Sequence, residues 1–395
     1  MILNPEDELL LECIKVSLHK TNDTLHSKIS SIQNWNTFLQ NAKQNRLAPV
    51  VYSVFSESTL SEQIPESILL ELQKHYYKSL SKNTILYNEF ERQLEKWNEL
   101  KIPVVALKGI FLAENVYSNI AIRPLSDIDV FVRKIDTKNC ANILLSNGYK
   151  WDTSLIKSEF ILAEKDLKHL PMLHKDGIGF EIHSSLIITS DTFHIPLDDF
   201  WKNTQSYGEF DKLVLAFNSN YLLLHICMHL DEHFVDANIH FIAYMDILWI
   251  TEKYKSDLNW NTFDEMCTQY NCTSNVYPHL YLSYKYLDAP IPDFIANKAR
   301  ILCTEYYNNY FVNKLKANTD FSADKKNRNI SELSKINGFS NRIRFLFDDM
   351  FPSKQYMITR YNLKNPRTLF WYYIVRQFDG IKSLLHYLTK KILSR

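Results

Sequence analysis

Seven glycines, at positions 109, 148, 177, 179, 208, 338 and 380, serve a chain of 395 residues, where an average protein would devote roughly 7% of its length to glycine. Glycine supplies the positive-φ turns and close backbone approaches on which phosphate-cradling loops depend, so this scarcity closes off whole architectures. Neither the G-x-G-x-x-G turn of dinucleotide-binding folds nor the G-x-x-x-x-G-K-[ST] loop of P-loop NTPases can be assembled from those positions. A chain like this must handle a nucleotide, if it handles one, by another device.

The length allows a substantial core and two or three domains. Apolar residues make up 46% and charged residues 23%, which is ordinary globular composition. Lysine plus arginine number 45, as do aspartate plus glutamate, so no overall field draws the chain to a nucleic-acid polymer or an anionic membrane; a local basic groove is compatible with that balance. Cys13, Cys140, Cys227, Cys267, Cys272 and Cys303 form no C-x-x-C pair, the pattern of reduced, mostly buried thiols. The segment Met1 to Glu8 carries acids where a signal peptide is apolar, and no uninterrupted apolar stretch approaches the ~20 residues that span a bilayer. A soluble cytoplasmic protein without a membrane span is expected.

Apolar residues recur at helical spacing from Glu6 to about Leu100, first Leu9, Leu10, Cys13, Val16 and Leu18, then Ile68, Leu69, Leu72, Tyr76 and Leu80. Pro65 and Glu66 mark the start of a helix running on through Leu86 to Trp97. The pattern then changes to short β-rich runs at Ile102–Leu107 and Ile128–Val132, with a helix between them from Gly109 to Tyr117. Asp136 is placed to cap a helix through Leu145, and Gly148 to end it. Further strands are expected over Phe160–Ala163, His169–Leu173 and Ile178–His183, with Asp176-Gly177 as the hairpin turn before the last. Beyond residue 205 the chain returns to helices at Leu222–Leu230, Phe241–Ile250 and Tyr277–Leu287. Lys316–Lys335 reads as a polar loop, and Phe370–Arg395 as an aromatic helix ending in cations. The division expected is a helical region over 1–100, an α+β core over 101–205 and a second helical region over 206–395.

Asp127-Ile128-Asp129 interrupts the apolar run Ile128, Val130, Phe131 and Val132. Residues two apart on a strand share a face, so the two carboxylates project side by side and repel unless a cation stands between them. Hard oxygen ligands suit Mg²⁺, which keeps positions for water and substrate phosphates. The pair therefore points to phosphate chemistry. Taken alone, it is equally compatible with a solvated strand edge or a turn cap.

In order along the chain, Leu107-Lys108-Gly109, Tyr117, Arg123-Pro124-Leu125, Ser126-Asp127-Ile128-Asp129 and Phe180-Glu181-Ile182-His183 resemble the polymerase-β-type nucleotidyltransferase superfamily. Within it they are similar to an uncharacterised bacterial group with the pattern L-K-G…R-x-x-S-D-I-D…E-x-H. The resemblance is strong from Ile102 to Ser185 and weaker through His225–Asp246, Phe351-Pro352 and Tyr361. It implies an α+β fold, a small mixed sheet flanked by helices, and a third carboxylate on a neighbouring strand, the position that Glu181 matches. It further implies two Mg²⁺ (or Mn²⁺) ions on Asp127, Asp129 and Glu181, roughly 3.5–4 Å apart, clamping the attacking and leaving oxygens of an in-line displacement on an NTP. Gly109 and Lys108 would face the triphosphate at the start of a helix, with Ser126 also at the nucleotide. Most of the superfamily has Gly-Ser where this chain has Lys108-Gly109, which leaves the direction of the lysine open. Arg123 either reaches phosphate or pairs with an acid.

A rival constellation is His225, His229 and His233, spaced to line one helical face at metal-ligand intervals. It lacks the glutamate of an H-E-x-x-H metalloprotease. These histidines are either ligands of a metallohydrolase, core hydrogen bonders or the wall of a neighbouring pocket, and Asp246 is a candidate to orient one ring. The leading expectation is transfer of a nucleoside monophosphate from an NTP, with release of pyrophosphate. The acceptor is a small molecule, a peptide or a protein rather than a long nucleic acid. The alternative on the same fold is a catalytically silent nucleotide-binding or scaffold protein.

Overall fold

Branched and aromatic residues around position 130 form the centre of a mixed sheet, and helices from both sides of the sequence close over it. The computed structural model describes residues 3–19, 24–56, 59–151, 170–186, 193–207, 214–235, 241–316, 357 and 368–377. The N-terminal helices are α1 (Pro5–His19), α2 (Leu25–Ser30), α3 (Trp35–Gln44), α4 (Ala48–Ser56) and, after a 3-10 turn at Thr59–Gln63, α5 (Glu66–Glu99). The central segment runs β1 (Val104–Ala106), α6 (Lys108–Asn115), β2 (Ile128–Phe131), α7 (Thr137–Ser146), β3 (Lys150–Trp151), β4 (Leu173–Lys175) and β5 (Ile178–His183). It continues with α8 (Leu197–Lys202), β6 (Thr204–Ser206) and β7 (Val214–Phe217). The remaining helices are α9 (Ser219–Val235), α10 (Ile242–Lys253), α11 (Trp260–Gln269), α12 (Thr273–Leu287), α13 (Asp293–Leu302) and α14 (Glu305–Leu315).

The seven strands stand in the order β3-β4-β5-β2-β1-β7-β6. β2 pairs parallel to β5 and antiparallel to β1, and β1 pairs parallel to β7. The fold is α+β, a mixed sheet flanked by helices. The hairpin at Asp176 and Gly177 carries both residues at positive φ, +50° and +81°, the geometry a two-residue turn needs to match strand twist. That turn fixes the register Lys175↔Ile178, His174↔Gly179 and Leu173↔Phe180. β4 consequently begins at Leu173, later than the strand expected over His169–Leu173.

Helix α5 extends for 34 residues, about 50 Å at 1.5 Å per residue. It starts after Pro65 and ends where Lys101 turns left-handed at φ +56°. Its buried stripe is apolar at both ends, with Ile68 and Leu72 and then Phe90, Leu94 and Trp97, but polar in the middle at Ser79 and Asn83. A buried asparagine in a helix needs partners, and those partners lie beside the site. Gly148, at φ +86°, ends α7 as expected. Asp136 occupies that helix's N-cap position but makes no side-chain cap bond, its backbone being already helical.

On the far side, α9 is anchored by a buried network: Asp231 accepts from Asn275 Nδ2 at 2.7 Å, and its Oδ1 lies 3.2 Å from both His279 Nε2 and the Tyr307 hydroxyl. Among the described residues no helix is long and apolar enough to cross a membrane. The strand expected over Phe160–Ala163, the Phe351-Pro352 and Tyr361 positions, the polar segment after Lys316 and the chain beyond 377 lie outside the described residues.

Candidate active site

The parallel pairing of β2 with β5 sets Asp129 opposite Glu181 and Phe131 opposite His183. Ladder partners share a face, as do residues two apart along a strand. Asp129, Glu181 and His183 therefore emerge together, and Asp127, at the entry to β2, is in step with them. Ile128, Val130 and Ile182 alternate to the other face and are fully buried.

Asp129 is the hub of this face. Its Oδ1 accepts from Lys108 Nζ at 2.9 Å and from His183 Nε2 at 2.8 Å, and the same imidazole nitrogen lies 3.5 Å from Glu181 Oε2. Burial by itself would raise the Asp129 pKa, but the Lys108 charge and the His183 bond outweigh it and hold the carboxyl well below the usual range. For Lys108, burial works against the ammonium; the charge of Asp129 first, then those of Glu181 and Asp127, keep its pKa above the ordinary lysine value. Asp127 behaves oppositely to Asp129. Burial and then the charge of Asp129 push it up to about 6, although the Ser126 hydroxyl donates to it at 2.7 Å.

The turn above the acids is built without slack. Leu107 closes β1 by donating its N–H to the Asp129 carbonyl at 3.1 Å, and Lys108 turns the chain into α6 at φ +44°, in the left-handed region that favours glycine. At Gly109, a Cβ would come within 2.6 Å of both Arg123 Nη1 and Leu125 Cδ2. A serine therefore has no room there, which accounts for the departure from Gly-Ser. Arg123 is pinned: Nε and Nη2 donate to the two oxygens of Asp246, each at 2.7 Å, and the Tyr117 hydroxyl donates to Asp246 Oδ1 at 2.6 Å. Of the two roles open to Arg123, the structure shows the acid pairing. Asp246, a candidate to orient a histidine, is instead the bidentate partner of this guanidinium, a match of fork to carboxylate that an imidazole cannot offer. Asn83 braces the connecting loop by donating to the carbonyls of Ile120 at 2.5 Å and Arg123 at 2.9 Å and accepting from the Leu125 N–H at 3.0 Å.

A cavity of about 320 Å³ opens over these groups, lined among others by Lys108, Gly109, Arg123, Ser126, Asp127, Asp129 and Glu181. Helices outside the sheet complete its wall. Arg46, just past the end of α3 and itself at φ +60°, reaches the cavity; burial lowers its pKa while Asp127 pulls it back. Outside this lining, Lys82 from α5 donates to the Ser126 carbonyl at 3.0 Å and shows the same balance of burial against Asp127. From α9 come His229 and His233, with ring centroids 4.3 Å apart and edge to face.

His225 is buried against Phe200 and Phe217. Among the described residues, the donor atoms that gather within 4.8 Å of one another as a group of three are those of Asp129, Glu181 and His183. The three histidines of α9 make no such group, and the pocket-wall role is the one observed for His229 and His233. Two carboxylates and an imidazole at that spacing fit a divalent cation, the carboxylates suiting Mg²⁺ and the imidazole tolerating Mn²⁺. His183 is the third member where Asp127 is expected; Asp127 stands beside the trio, bonded to Ser126. His183 was within reach of sequence reasoning, being two residues past Glu181 on the same strand. Arg46, Lys82 and Asn83 carried no local signal, because only the tertiary packing of α3 and α5 brings them to the sheet.

A family model described as "Uncharacterised nucleotidyltransferase" matches residues 31–288, a span that takes in every residue of the site from Arg46 to Asp246. No curated protein and no solved structure matches the chain.

Proposed function

The chain belongs to this family of uncharacterised nucleotidyltransferases, and on that premise we propose that it moves a nucleoside monophosphate from an NTP to an acceptor with release of pyrophosphate. In this reading Mg²⁺ or Mn²⁺ binds on the face formed by Asp127, Asp129 and Glu181. The observation that carries it is the β2–β5 register, which stands Asp129 beside Glu181 beneath a cavity walled by Lys108 and Arg46.

A bound divalent ion would supply Lewis-acid polarisation of phosphoryl oxygen and lower the pKa of the acceptor hydroxyl. The residues of the chain do the rest. The acceptor oxygen attacks the α-phosphorus in line, the bond to the β-phosphate oxygen breaks, and Glu181, half-buried at the cavity, takes the hydroxyl proton. Lys108, Arg46 and Lys82 offset the charge of the triphosphate, and the first free amides of α6 at Gly109 face it. Arg123 acts by holding the Gly109 turn, and Ser126 by steering Asp127. Such a displacement needs positioning and charge more than covalent chemistry from the protein. Net neutrality supports a small molecule, a peptide or a protein hydroxyl as acceptor over a long nucleic acid. Six free cysteines support a reducing, cytoplasmic setting.

Incubation with each labelled NTP and a metabolite or lysate pool tests the reading. Label appearing on an acceptor with stoichiometric pyrophosphate is expected, and Glu181→Gln should reduce it at least 100-fold without changing thermal stability. Asp129→Asn is the less clean variant, since Lys108 and His183 share its carboxylate. No transfer from any of the four NTPs would sink the proposal. NTP binding without pyrophosphate release would favour the silent alternative.

A further inference from the structure

We propose that Lys108 is a resident cation of the site: its ammonium fills one of the two cationic positions that nucleotidyl transfer on paired carboxylates requires, so the chain takes up one divalent ion with its NTP. This rests on the nucleotidyl-transfer reading and sharpens it.

Three observations converge. The Lys108 ammonium is bonded to Asp129 Oδ1 at 2.9 Å with only 12% of the side chain exposed, inside the combined field of three acids, and Glu181 weighs on it more than Asp127 does. Second, Asp129 Oδ1 already accepts from His183 as well; a metal ion on that oxygen would have to displace two N–H donors at once. Third, the backbone is committed to this arrangement. Lys108 adopts φ +44°, a conformation unfavourable for a lysine and free for a glycine. Gly109, which cannot carry a side chain against Arg123 and Leu125, removes the hydroxyl that would otherwise meet phosphate. The turn has given up a neutral phosphate ligand and gained a fixed positive charge one residue earlier.

The division of labour follows. An ammonium makes charge-assisted hydrogen bonds but no inner-sphere coordination, so Lys108 offsets negative charge on the triphosphate from its place beside Asp129. Asp127 and the remaining oxygen of Asp129 are left for a single ion facing the triphosphate.

Counting bound manganese by electron paramagnetic resonance tests this, with saturating Mn²⁺ and a non-hydrolysable NTP analogue on the full chain. One ion per wild-type chain is expected, rising to two in Lys108→Gly, whose φ suits glycine, and in Lys108→Met as a second charge-free variant, while Lys108→Arg stays at one. Two ions on the wild type would overturn the proposal and leave the nucleotidyl-transfer reading standing. One ion on the wild type and still one on both charge-free variants would overturn it as well. No ion on the wild type would remove both this proposal and the metal-dependent reading beneath it.

Discussion

A methyl group's worth of space at Gly109 decides how the phosphate-facing turn is built. With Arg123 held by both oxygens of Asp246, its guanidinium cannot yield cheaply to a Cβ at 2.6 Å. Gly109→Ser should therefore destabilise the chain by about 1–3 kcal/mol, the usual range for overpacking, and lower nucleotide affinity; a stable variant with tighter NTP binding in a calorimetric titration would contradict this. Asp127 gives a pH-dependent prediction. Its pKa rises from 3.8 to about 6 on folding, so the folded chain binds that proton more tightly than the unfolded one; the associated stability is full below about pH 4 and lost as pH climbs through 6. In EDTA, Asp127→Asn should gain up to about 3 kcal/mol over the wild type at pH 7.5 and lose that advantage near pH 4, as read from thermal melts at both pH values. Equal stability at pH 7.5 would argue against the buried, repelled carboxylate. Asp127 and Asp129 were legible in the sequence because the two-residue strand period is local, and Glu181 through the resemblance, which implies a third carboxylate on a neighbouring strand. The pairing of Asp246 with Arg123 was not legible, because which of several polar residues meets a buried guanidinium is decided by helix packing.

Among the elements, α5 does more than bury an apolar stripe. Asn83 satisfies three backbone groups of the loop that carries Arg123 and Leu125, and Asn83→Ala would strand them in a water-poor setting, at about 2–4 kcal/mol for groups left unpaired. A fall in denaturant midpoint together with loss of NTP affinity is the expected result; the first without the second would separate the brace from the site. Helix α3 also delivers Arg46 to the cavity, and α5 brings Lys82 close enough to Asp127 to feel its charge. Arg46→Ala combined with Lys82→Ala should raise KM for the NTP roughly 10–100-fold, as loss of one or two charge-assisted phosphate contacts implies, with a smaller effect on kcat. An unchanged KM would remove the N-terminal helices from the nucleotide site. Strands β2 and β5 and the Asp176-Gly177 turn were readable from alternation and turn chemistry. The edge strands β3 and β6, of two and three residues, are too short to show a period, and β7 is recognised only by its pairing with β1.

At the scale of the whole molecule, an α+β core of the uncharacterised nucleotidyltransferase family is enclosed by helices that finish its cavity, so fold class, the acidic face and the cations Lys108 and Arg123 could be read from the chain while the place of Arg46 in the wall could not. The wall is assembled from residues as far apart in sequence as Arg46 and His233, a separation no motif spans. In the proposed reading, metal and triphosphate meet on the Asp127–Asp129–Glu181 face. Anomalous scattering from crystals grown with Mn²⁺ and a non-hydrolysable NTP analogue tests it most directly. A manganese peak on the Asp127 and Asp129 carboxylates, with the triphosphate lying toward Arg46, is the predicted result. Manganese on His229 and His233, or a nucleotide bound away from this cavity, would contradict it.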